Sequence, residues 1–193
     1  MARPRQASDR EELIVARIRP LDREEAPAAS QAEFDKQIRA HGRMTNMKRT
    51  LAHSWPALRA LMEWYPLRDE VAAFLGDRLA DLFSHAISSQ TDCLICSTFF
   101  RRIFIESGEN PDSFELDDWS KTIVEYGRAM ARDAHDVSDD LFARLKARLS
   151  DEQIVVLTAF GSIMLATNVF NDALRVDLDD YLKPFAKDKG AAK

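Results

Sequence analysis

The sequence contains few of the residues on which several common protein classes depend. Its 193 residues include only 2 cysteines, 4 histidines and 6 glycines. Two cysteines cannot complete a closed four-ligand zinc site, and the histidines lack the paired spacing of a zinc finger. The glycines form neither a phosphate-binding loop nor a dinucleotide fingerprint. We therefore expect no tightly held metal or cofactor.

Basic residues are also outnumbered. Lys and Arg total 27 against 32 Asp and Glu, which gives a net charge of -5 at pH 7. A protein with this charge is not attracted to nucleic acid phosphates or to anionic membrane surfaces in general. We expect neither nucleic acid nor a membrane as a partner.

Apolar runs of membrane length are scarce as well. The most apolar run, residues 154–170, contains two threonines, a serine and an asparagine, and Asp151 and Glu152 precede it. This composition is more typical of a buried helix than of a membrane span. The N-terminus has no apolar stretch of signal-peptide length. We therefore expect a cytoplasmic protein, in which a Cys-x-x-Cys pair is more often redox-active or metal-binding than a structural disulfide.

The pattern that is present indicates an all-α fold, because long amphipathic runs alternate with short polar breaks and no strand pattern persists. We expect residues 1–28 to form an N-terminal arm, 29–184 a single helical domain and 185–193 a frayed tail. The predicted helices are 30–41, 46–52, 55–64, 68–88, 92–107, 117–134, 139–148 and 151–174.

Several predicted helix starts carry N-cap residues, whose side-chain oxygens accept hydrogen bonds from free backbone N–H groups. Two of these starts have the spacing of a capping box, and another precedes a proline that suits a first helical turn. The expected caps are Ser30 with Glu33, Ser54, Ser138, and Ser150 with Gln153.

Both cysteines lie in one segment, SSQTDCLICSTFF, as Cys93 and Cys96. If Thr91 or Asp92 caps a helix beginning near residue 92, both thiols lie near its first turn, where the helix dipole lowers a thiol pKa. The charge of Asp92 opposes this effect. A spacing of three residues places both sulfurs on one helix face, where they can form a disulfide. The spacing suits thiol–disulfide exchange, while a metal site or inert packing of two small hydrophobes are the alternatives.

The preceding segment contains two residues that could move protons for such chemistry. Asp81 and His85 are four residues apart, so they share a helix face, and His85 is about one turn from the helix end that leads to Cys93. An imidazole titrates near neutral pH and could serve a thiol in a relay. A partly exposed pair on an amphipathic helix is the alternative.

Two amides interrupt the apolar run near its end. Buried amides must be satisfied, so we expect Asn168 and Asn171 to bond neighbouring helices or a partner subunit. Contact with a substrate is the alternative.

These features resemble the carboxymuconolactone decarboxylase and alkyl hydroperoxidase D-like (AhpD-like) superfamily. In its peroxidase branch, a glutamate, eleven residues, Cys-x-x-Cys, three residues and a histidine follow one another. Asp81, Cys93 and Cys96 occupy the first three of those positions, and Phe100 occupies the histidine position. Similar stretches extend over most of residues 16–175, among them ARIRPLDREEA and LSDEQIVVLTAFGSIMLATNVFNDAL.

The resemblance implies an AhpD-like multi-helix bundle, usually homo-oligomeric, that needs no tightly held cofactor. It also implies that Cys96 meets a peroxide and Cys93 resolves the product, whereas exposure at a helix start alone favours Cys93 as the attacking thiol. The departures at Asp81 and Phe100 mean that the relay of this branch is not transferred intact. His85 or water could take its place, or peroxidase activity could be lost while disulfide chemistry survives.

The main functional hypothesis is a thiol-dependent peroxidase or disulfide oxidoreductase. It would reduce a hydroperoxide through Cys93 and Cys96, and an external dithiol or disulfide carrier would act as the reductant. Asp81 and His85 are the candidates for proton transfer. Two alternatives remain open: a cysteine-independent lyase acting on a small organic acid or lactone, and a non-catalytic oligomeric relative.

Overall fold

The computed structural model describes residues 16–187, and within this range the regular structure is entirely helical. The prediction of an all-α fold is therefore confirmed. Short 3-10 turns occupy Arg23–Glu25, Ala134–Asp136 and Asp180–Phe185. The α-helices are α1 (Ala28–His41), α2 (Asn46–Leu51), α3 (Trp55–Met62), α4 (Trp64–Leu75), α5 (Asp77–Gln90), α6 (Leu94–Glu106), α7 (Asp118–Arg132), α8 (Asp139–Lys146) and α9 (Asp151–Leu174).

The largest difference from the predicted elements concerns the helix expected over residues 68–88. Gly76 has a φ of 82°, a left-handed conformation that an L side chain rarely adopts, and it separates α4 from α5. The amphipathic pattern continues across this break, so periodicity alone does not reveal it. The helix expected over 55–64 likewise ends at Met62, and α4 begins two residues later.

Three of the four predicted caps are confirmed. Ser54 and Ser138 each accept a backbone N–H, and Ser150 forms a capping box with Gln153. The prediction for Ser30 is wrong, because α1 already begins at Ala28. Ser30 lies buried inside the first turn of that helix, where its N–H donates to the carbonyl of residue 27.

The core forms around α5, which packs against α4, α6, α7 and α9. Phe83 is fully buried there, and its ring lies 6.0 Å from that of Tyr126 and 6.1 Å from that of Phe160. Gly161 allows α9 to approach closely, since a Cβ at that position would lie 2.9 Å from Phe83 Cζ. Truncating such a buried ring to Ala costs about 3–5 kcal/mol of stability. The position of α9 against α5 therefore depends on this contact.

Helix α9 is the one helix among residues 16–187 whose length and composition would also suit a membrane crossing. The core helix of a globular protein meets the same criterion, and one face of α9 is buried against α4 and α5. The exposed face is apolar at Val155 and Val169, which are 66% and 63% exposed. The expectation that no membrane is a partner stays a prediction.

The N-terminal part of the described chain runs over the helices rather than through them. The Arg17 N–H donates to the carbonyl of Leu174 at 2.9 Å, and the Leu21 N–H donates to that of Arg49 at 3.2 Å. Leu21 and Ala26 of this segment are buried in a second apolar cluster with Phe34 and Leu58. Residues 1–15 of the predicted arm lie outside the described residues, as do 188–193 of the predicted tail. The domain boundaries stay predictions.

Candidate functional site

The two cysteines are placed by the turn that joins α5 to α6. Asp92 has a φ of 57°, which Asp tolerates better than most residues. The Cys93 N–H donates to the Ser88 carbonyl at 3.1 Å, and the Asp92 N–H donates to that of Ser89 at 3.4 Å. These two bonds form a Schellman motif, which ends α5 and starts α6 within four residues. The prediction that Thr91 or Asp92 caps α6 is wrong, because the N-cap is Cys93 itself.

The cysteines are free thiols and both are buried. Cys93 is 0% exposed at the N-cap of α6, and Cys96 is 6% exposed at the third residue of that helix. Exposure at the helix start was the reason to favour Cys93 as the attacking thiol, and the structure removes that reason. The cysteine closer to solvent is Cys96.

The C-terminal turn of α9 supplies the polar neighbours of the pair. The Asn171 Nδ2 donates to Cys96 Sγ at 3.3 Å. One turn earlier, the Asn168 Nδ2 donates to Thr91 Oγ1 at 2.9 Å and ties α9 to the α5–α6 turn. The prediction that these amides bond neighbouring helices is confirmed. The Oδ1 atom of each amide is buried without a hydrogen-bond partner among the described residues.

The pKa of Cys96 differs in direction from the sequence expectation. Hydrogen bonding with Cys93 raises it well above the ordinary value for a thiol, and burial and the charges of Cys93 and Asp172 raise it further. The N–H of Asn171 lowers this pKa but does not offset the other effects. The lowered pKa expected from the helix dipole is therefore wrong for Cys96. Its proton must leave before the sulfur can act as a nucleophile.

Asp172, which directly follows Asn171, is the carboxyl group that affects the thiols. Burial raises the pKa of this carboxyl group, and hydrogen bonding from Cys93 lowers it in part. Its side chain is exposed, whereas Cys93 beside it is fully buried. Asp172 is therefore an exposed carboxyl group that interacts electrostatically with both thiols.

Cys96 also lines a mostly apolar pocket of about 100 Å³ between α2, α4, α6, α9 and the 3-10 turn at Asp180–Phe185. For comparison, an engineered apolar cavity of about 150 Å³ in another protein holds benzene. The aromatic side chains of the lining are Trp64, Tyr65, Phe99, Phe100 and Tyr181. Its polar side chains are Thr45, Lys48, Thr167, Asn171 and Asp179. Within the described residues Cys93 is not part of the lining.

Phe100 is 1% exposed and its ring lies 6.5 Å from that of Trp64. It therefore presents hydrocarbon where the resemblance would place a histidine. None of the residues that line the pocket in the described part of the chain is a histidine.

The remaining two predicted site residues lie elsewhere. Asp81 is buried and accepts hydrogen bonds from Arg68 at 3.0 and 3.3 Å, and burial raises the pKa of its carboxyl group despite this partner. The His85 ring packs edge-on against Phe104 and Phe114. Burial and nearby cationic side chains lower the pKa of His85 to about 4.

Within residues 16–187, the hydrogen bonds of Asp81 and His85 reach neither each other nor a cysteine. His85 Nε2 instead lies 3.4 Å from Ser89 Oγ. Of the four predicted site residues, the structure brings together Cys93 and Cys96 only. The predicted Asp81–His85 relay stays a prediction that no contact of the structure supports.

Sequence reasoning did not single out three residues that affect the thiols or line the pocket, namely Asp172, Lys48 and Tyr65. Asp172 follows the apolar run directly after Asn171, and such a polar group at the end of a buried helix is a usable signal. Lys48 has no comparable signal, because a lysine in a short helix is usually exposed. Over residues 16–187, no group of three or more His, Cys, Asp or Glu side chains is arranged to hold a metal ion.

Comparisons with known proteins agree with the helical architecture. No family model matches the sequence, and no curated protein matches it. An alkylhydroperoxidase AhpD core, an uncharacterized peroxidase-related protein from Ralstonia eutropha JMP134, is similar with a TM-score of 0.71 and 16% identity. The similarity covers 87% of this chain and 94% of that one.

Two further solved structures are similar over comparable lengths. A peroxidase-related protein from Silicibacter sp. TM1040 gives a TM-score of 0.66 at 16% identity, over 82% of this chain and 88% of that one. The debrominase Bmp8 gives 0.69 at 18% identity, over 87% of this chain and 95% of that one. At these identities the likeness shows the fold. The chain therefore has the AhpD-like fold, as the resemblance in its sequence predicted.

Proposed function

We propose that the protein is a thiol-dependent oxidoreductase that reduces hydroperoxides, with Cys96 as the attacking thiol and Cys93 as the resolving thiol. The observation that carries the proposal is the order of the two sulfurs. Cys96 lines the pocket, whereas Cys93, three residues earlier, is fully buried and raises the pKa of Cys96. Each sulfur is thereby next to the group with which its step would react.

In the first step the Cys96 thiolate attacks one oxygen of the hydroperoxide ROOH. An S–O bond forms and the O–O bond breaks, so Cys96 becomes a sulfenic acid and the alkoxide leaves as ROH after taking a proton. In the second step the Cys93 thiolate attacks the Cys96 sulfur. An S–S bond forms, and the hydroxide that leaves is released as water. An external dithiol then reduces the disulfide by exchange and is itself oxidised.

The raised pKa of Cys96 means that this thiol must first give up a proton. We assign this proton to Asp172 by way of Cys93, because Cys93 acts on the pKa values of both Cys96 and Asp172, and Asp172 is exposed. The Asn171 N–H supports the thiolate that remains, since it already donates to that sulfur. In this proposal Asp172 takes the place that the sequence assigned to Asp81 and His85.

The test is peroxide consumption in the presence of a supplied dithiol. Wild type should consume cumene hydroperoxide. Cys96→Ser should consume it at least about a hundredfold more slowly, because the attacking sulfur atom is absent. Cys93→Ser should complete a single turnover and stop as a sulfenic acid. Ser97→Ala, at a half-buried position next to Cys96, removes a hydroxyl that bonds only backbone carbonyls of its own helix turn. It is the matched control and should retain the rate within about twofold.

The outcomes separate the alternatives. If wild type and both variants consume no peroxide, the proposal fails, and the cysteine-independent lyase or the non-catalytic relative takes its place. A lyase would keep its activity in Cys96→Ser. If Cys93→Ser is the variant that fails to form a sulfenic acid, the assignment of the two thiols is reversed.

A second candidate function is reductive dehalogenation of a small aromatic ring. A cysteine-to-alanine variant of the debrominase Bmp8, solved with 2,3,4-tribromopyrrole bound, is similar in structure to 87% of the present chain. The aromatic lining beside Cys96 suits such a ring. The thiolate would attack bromine, forming S–Br while the C–Br electron pair takes a proton at carbon. Cys93 would then displace bromide to form the disulfide.

Bromide release from 2,3,4-tribromopyrrole, measured with a supplied dithiol, tests this candidate. Release by wild type and not by Cys96→Ser would support it. Peroxide consumption without bromide release would contradict this second candidate and leave the peroxidase as the proposed function.

The cytoplasmic location and the homo-oligomeric state expected from the sequence are proposals as well. Light scattering that shows a stable monomer would contradict the second.

A further inference from the structure

The end of the pocket formed by α2 and α4 contains a buried cation. Lys48 is 4% exposed, although lysine is rarely buried without a charged partner. Its Nζ donates to Gln37 Oε1 at 2.5 Å and to the Tyr65 hydroxyl oxygen at 2.6 Å. Both acceptors are neutral, and no ion pair joins Lys48 to a carboxylate among residues 16–187.

The nearby carboxylates are directed to other partners. Glu33 accepts a hydrogen bond from Gln37 Nε2 at 2.7 Å, and its carboxylate forms an ion pair with Lys36 rather than with Lys48. Asp179 accepts the backbone N–H of Asn46 at 2.9 Å. Both raise the pKa of Lys48 electrostatically, but burial outweighs them and lowers it to about 8. The ammonium therefore lacks a direct counter-charge.

Within the described part of the chain, two hydrogen-bond donors at this end of the pocket have no acceptor. An ammonium has three N–H donors, and the bonds to Gln37 and Tyr65 use two of them. Since the Tyr65 oxygen accepts from Lys48, its own O–H proton is available to a further acceptor. His41, which stacks on the Tyr65 ring at 4.4 Å, has a lowered pKa because of burial and the Lys48 charge, so it adds no cation at neutral pH.

We propose that Lys48 and Tyr65 bind the carboxylate of a small organic acid whose apolar body lies in the pocket, toward Cys96. Two converging donors and a buried positive charge match a carboxylate, and Trp64 and Phe100 match an apolar body. For the reacting end, this inference rests on the proposed function. The substrate class would then be a small hydroperoxide or halide that also carries a carboxylate.

Calorimetric titration of the wild-type protein with benzoate and with benzamide tests the binding. The two probes share a ring and differ in charge. Benzoate should bind about tenfold more tightly than benzamide, as expected for a charge-assisted bond in a buried site. Lys48→Met, which keeps the length of the side chain, should lose about tenfold in benzoate affinity and change benzamide affinity less than about twofold. Tyr65→Phe should lose about threefold for benzoate.

Lys121→Met, at an exposed position of α7, is the matched control and should bind benzoate as wild type does. Equal affinities for benzoate and benzamide, no binding of either, or benzoate affinity unchanged in Lys48→Met would each overturn the inference. The comparison of benzoate with benzamide on the wild-type protein tests the preference for a carboxylate even if a variant does not fold.

Cys96→Ser should still bind benzoate, because the carboxylate contacts lie at the other end of the pocket. Failure of the redox proposal and failure of this inference are therefore distinguishable. A protein that lacks redox activity but binds benzoate through Lys48 contradicts only the redox proposal. A redox-active protein that does not bind benzoate contradicts only the present inference.

Discussion

Cys96, which is buried in α6, and His85, which is half-buried in α5, are two ionisable groups whose neighbours differ completely. Cys96 contacts an amide from α9, lies three residues from a second thiol and lines a pocket. His85 lies between two phenylalanine rings and near Arg101 and Arg128. The first setting offers a route for a proton and access for a ligand. The second only disfavours charge, so burial by itself does not indicate a reactive group.

Among the variants that test this comparison, Asp172→Asn is expected to have the largest effect on the rate of peroxide consumption. If Asp172 accepts the thiol proton, the variant should consume peroxide at least about tenfold more slowly near neutral pH, and added base should restore part of the rate. If the carboxylate acts only through its charge, its removal lowers the pKa of Cys96 and the rate should rise instead. Asp177→Asn, an exposed carboxylate nearby on the chain, is the control and should change the rate less than about twofold.

A smaller effect is expected from Asn171→Ala. Loss of the N–H that supports the thiolate should raise the pKa of Cys96 further, so alkylation of Cys96 by iodoacetamide near pH 8 should slow by about three- to tenfold. Asn168→Ala removes a similar amide one turn earlier that bonds Thr91 rather than sulfur. An equal loss of alkylation rate in both variants, with peptide mapping of the modified cysteine, would contradict the assignment.

The smallest effect on activity is expected from His85→Gln, which should change peroxide consumption less than about twofold. Its signature is the pH dependence of stability. The pKa of His85 is about 4 in the folded protein, against about 6.5 unfolded, so the unfolded state gains the proton first as pH falls. Wild type should therefore lose about 2 kcal/mol of unfolding free energy between about pH 7.5 and pH 5 that the variant does not lose.

Urea unfolding of both proteins at the two pH values measures this difference, since the other titrating groups contribute equally to both. An activity loss of tenfold or more in His85→Gln at neutral pH, without loss of folding, would restore the relay predicted from the sequence. It would also remove the contrast between the two sites.

How well the sequence predicted the structure depends on how far apart along the chain the interacting residues lie. The helices, the caps at Ser54 and Ser150 and the proximity of the two cysteines depend on neighbours within a few positions, and these predictions are confirmed. The break at Gly76 depends on one backbone angle within a continuous amphipathic pattern, and periodicity does not detect it.

The site was less predictable because its contacts join distant parts of the chain. Asn171 meets Cys96 across 75 positions, and Lys48 meets Tyr65 across 17. The spacing of Asp81 and His85 placed both on α5, but the side chains that surround each of them come from other helices. A shared helix face was therefore not sufficient to bring them together with the thiols.

The most direct test of the account is the identity of the sulfur that a hydroperoxide oxidises first. Cys93→Ser and Cys96→Ser, each treated with one equivalent of cumene hydroperoxide and then with dimedone, can be compared by intact mass and peptide mapping. The account predicts a dimedone adduct on Cys96 in the first variant and little or none on Cys93 in the second, because only Cys96 lines the pocket. An adduct on Cys93 with an unmodified Cys96 would contradict it.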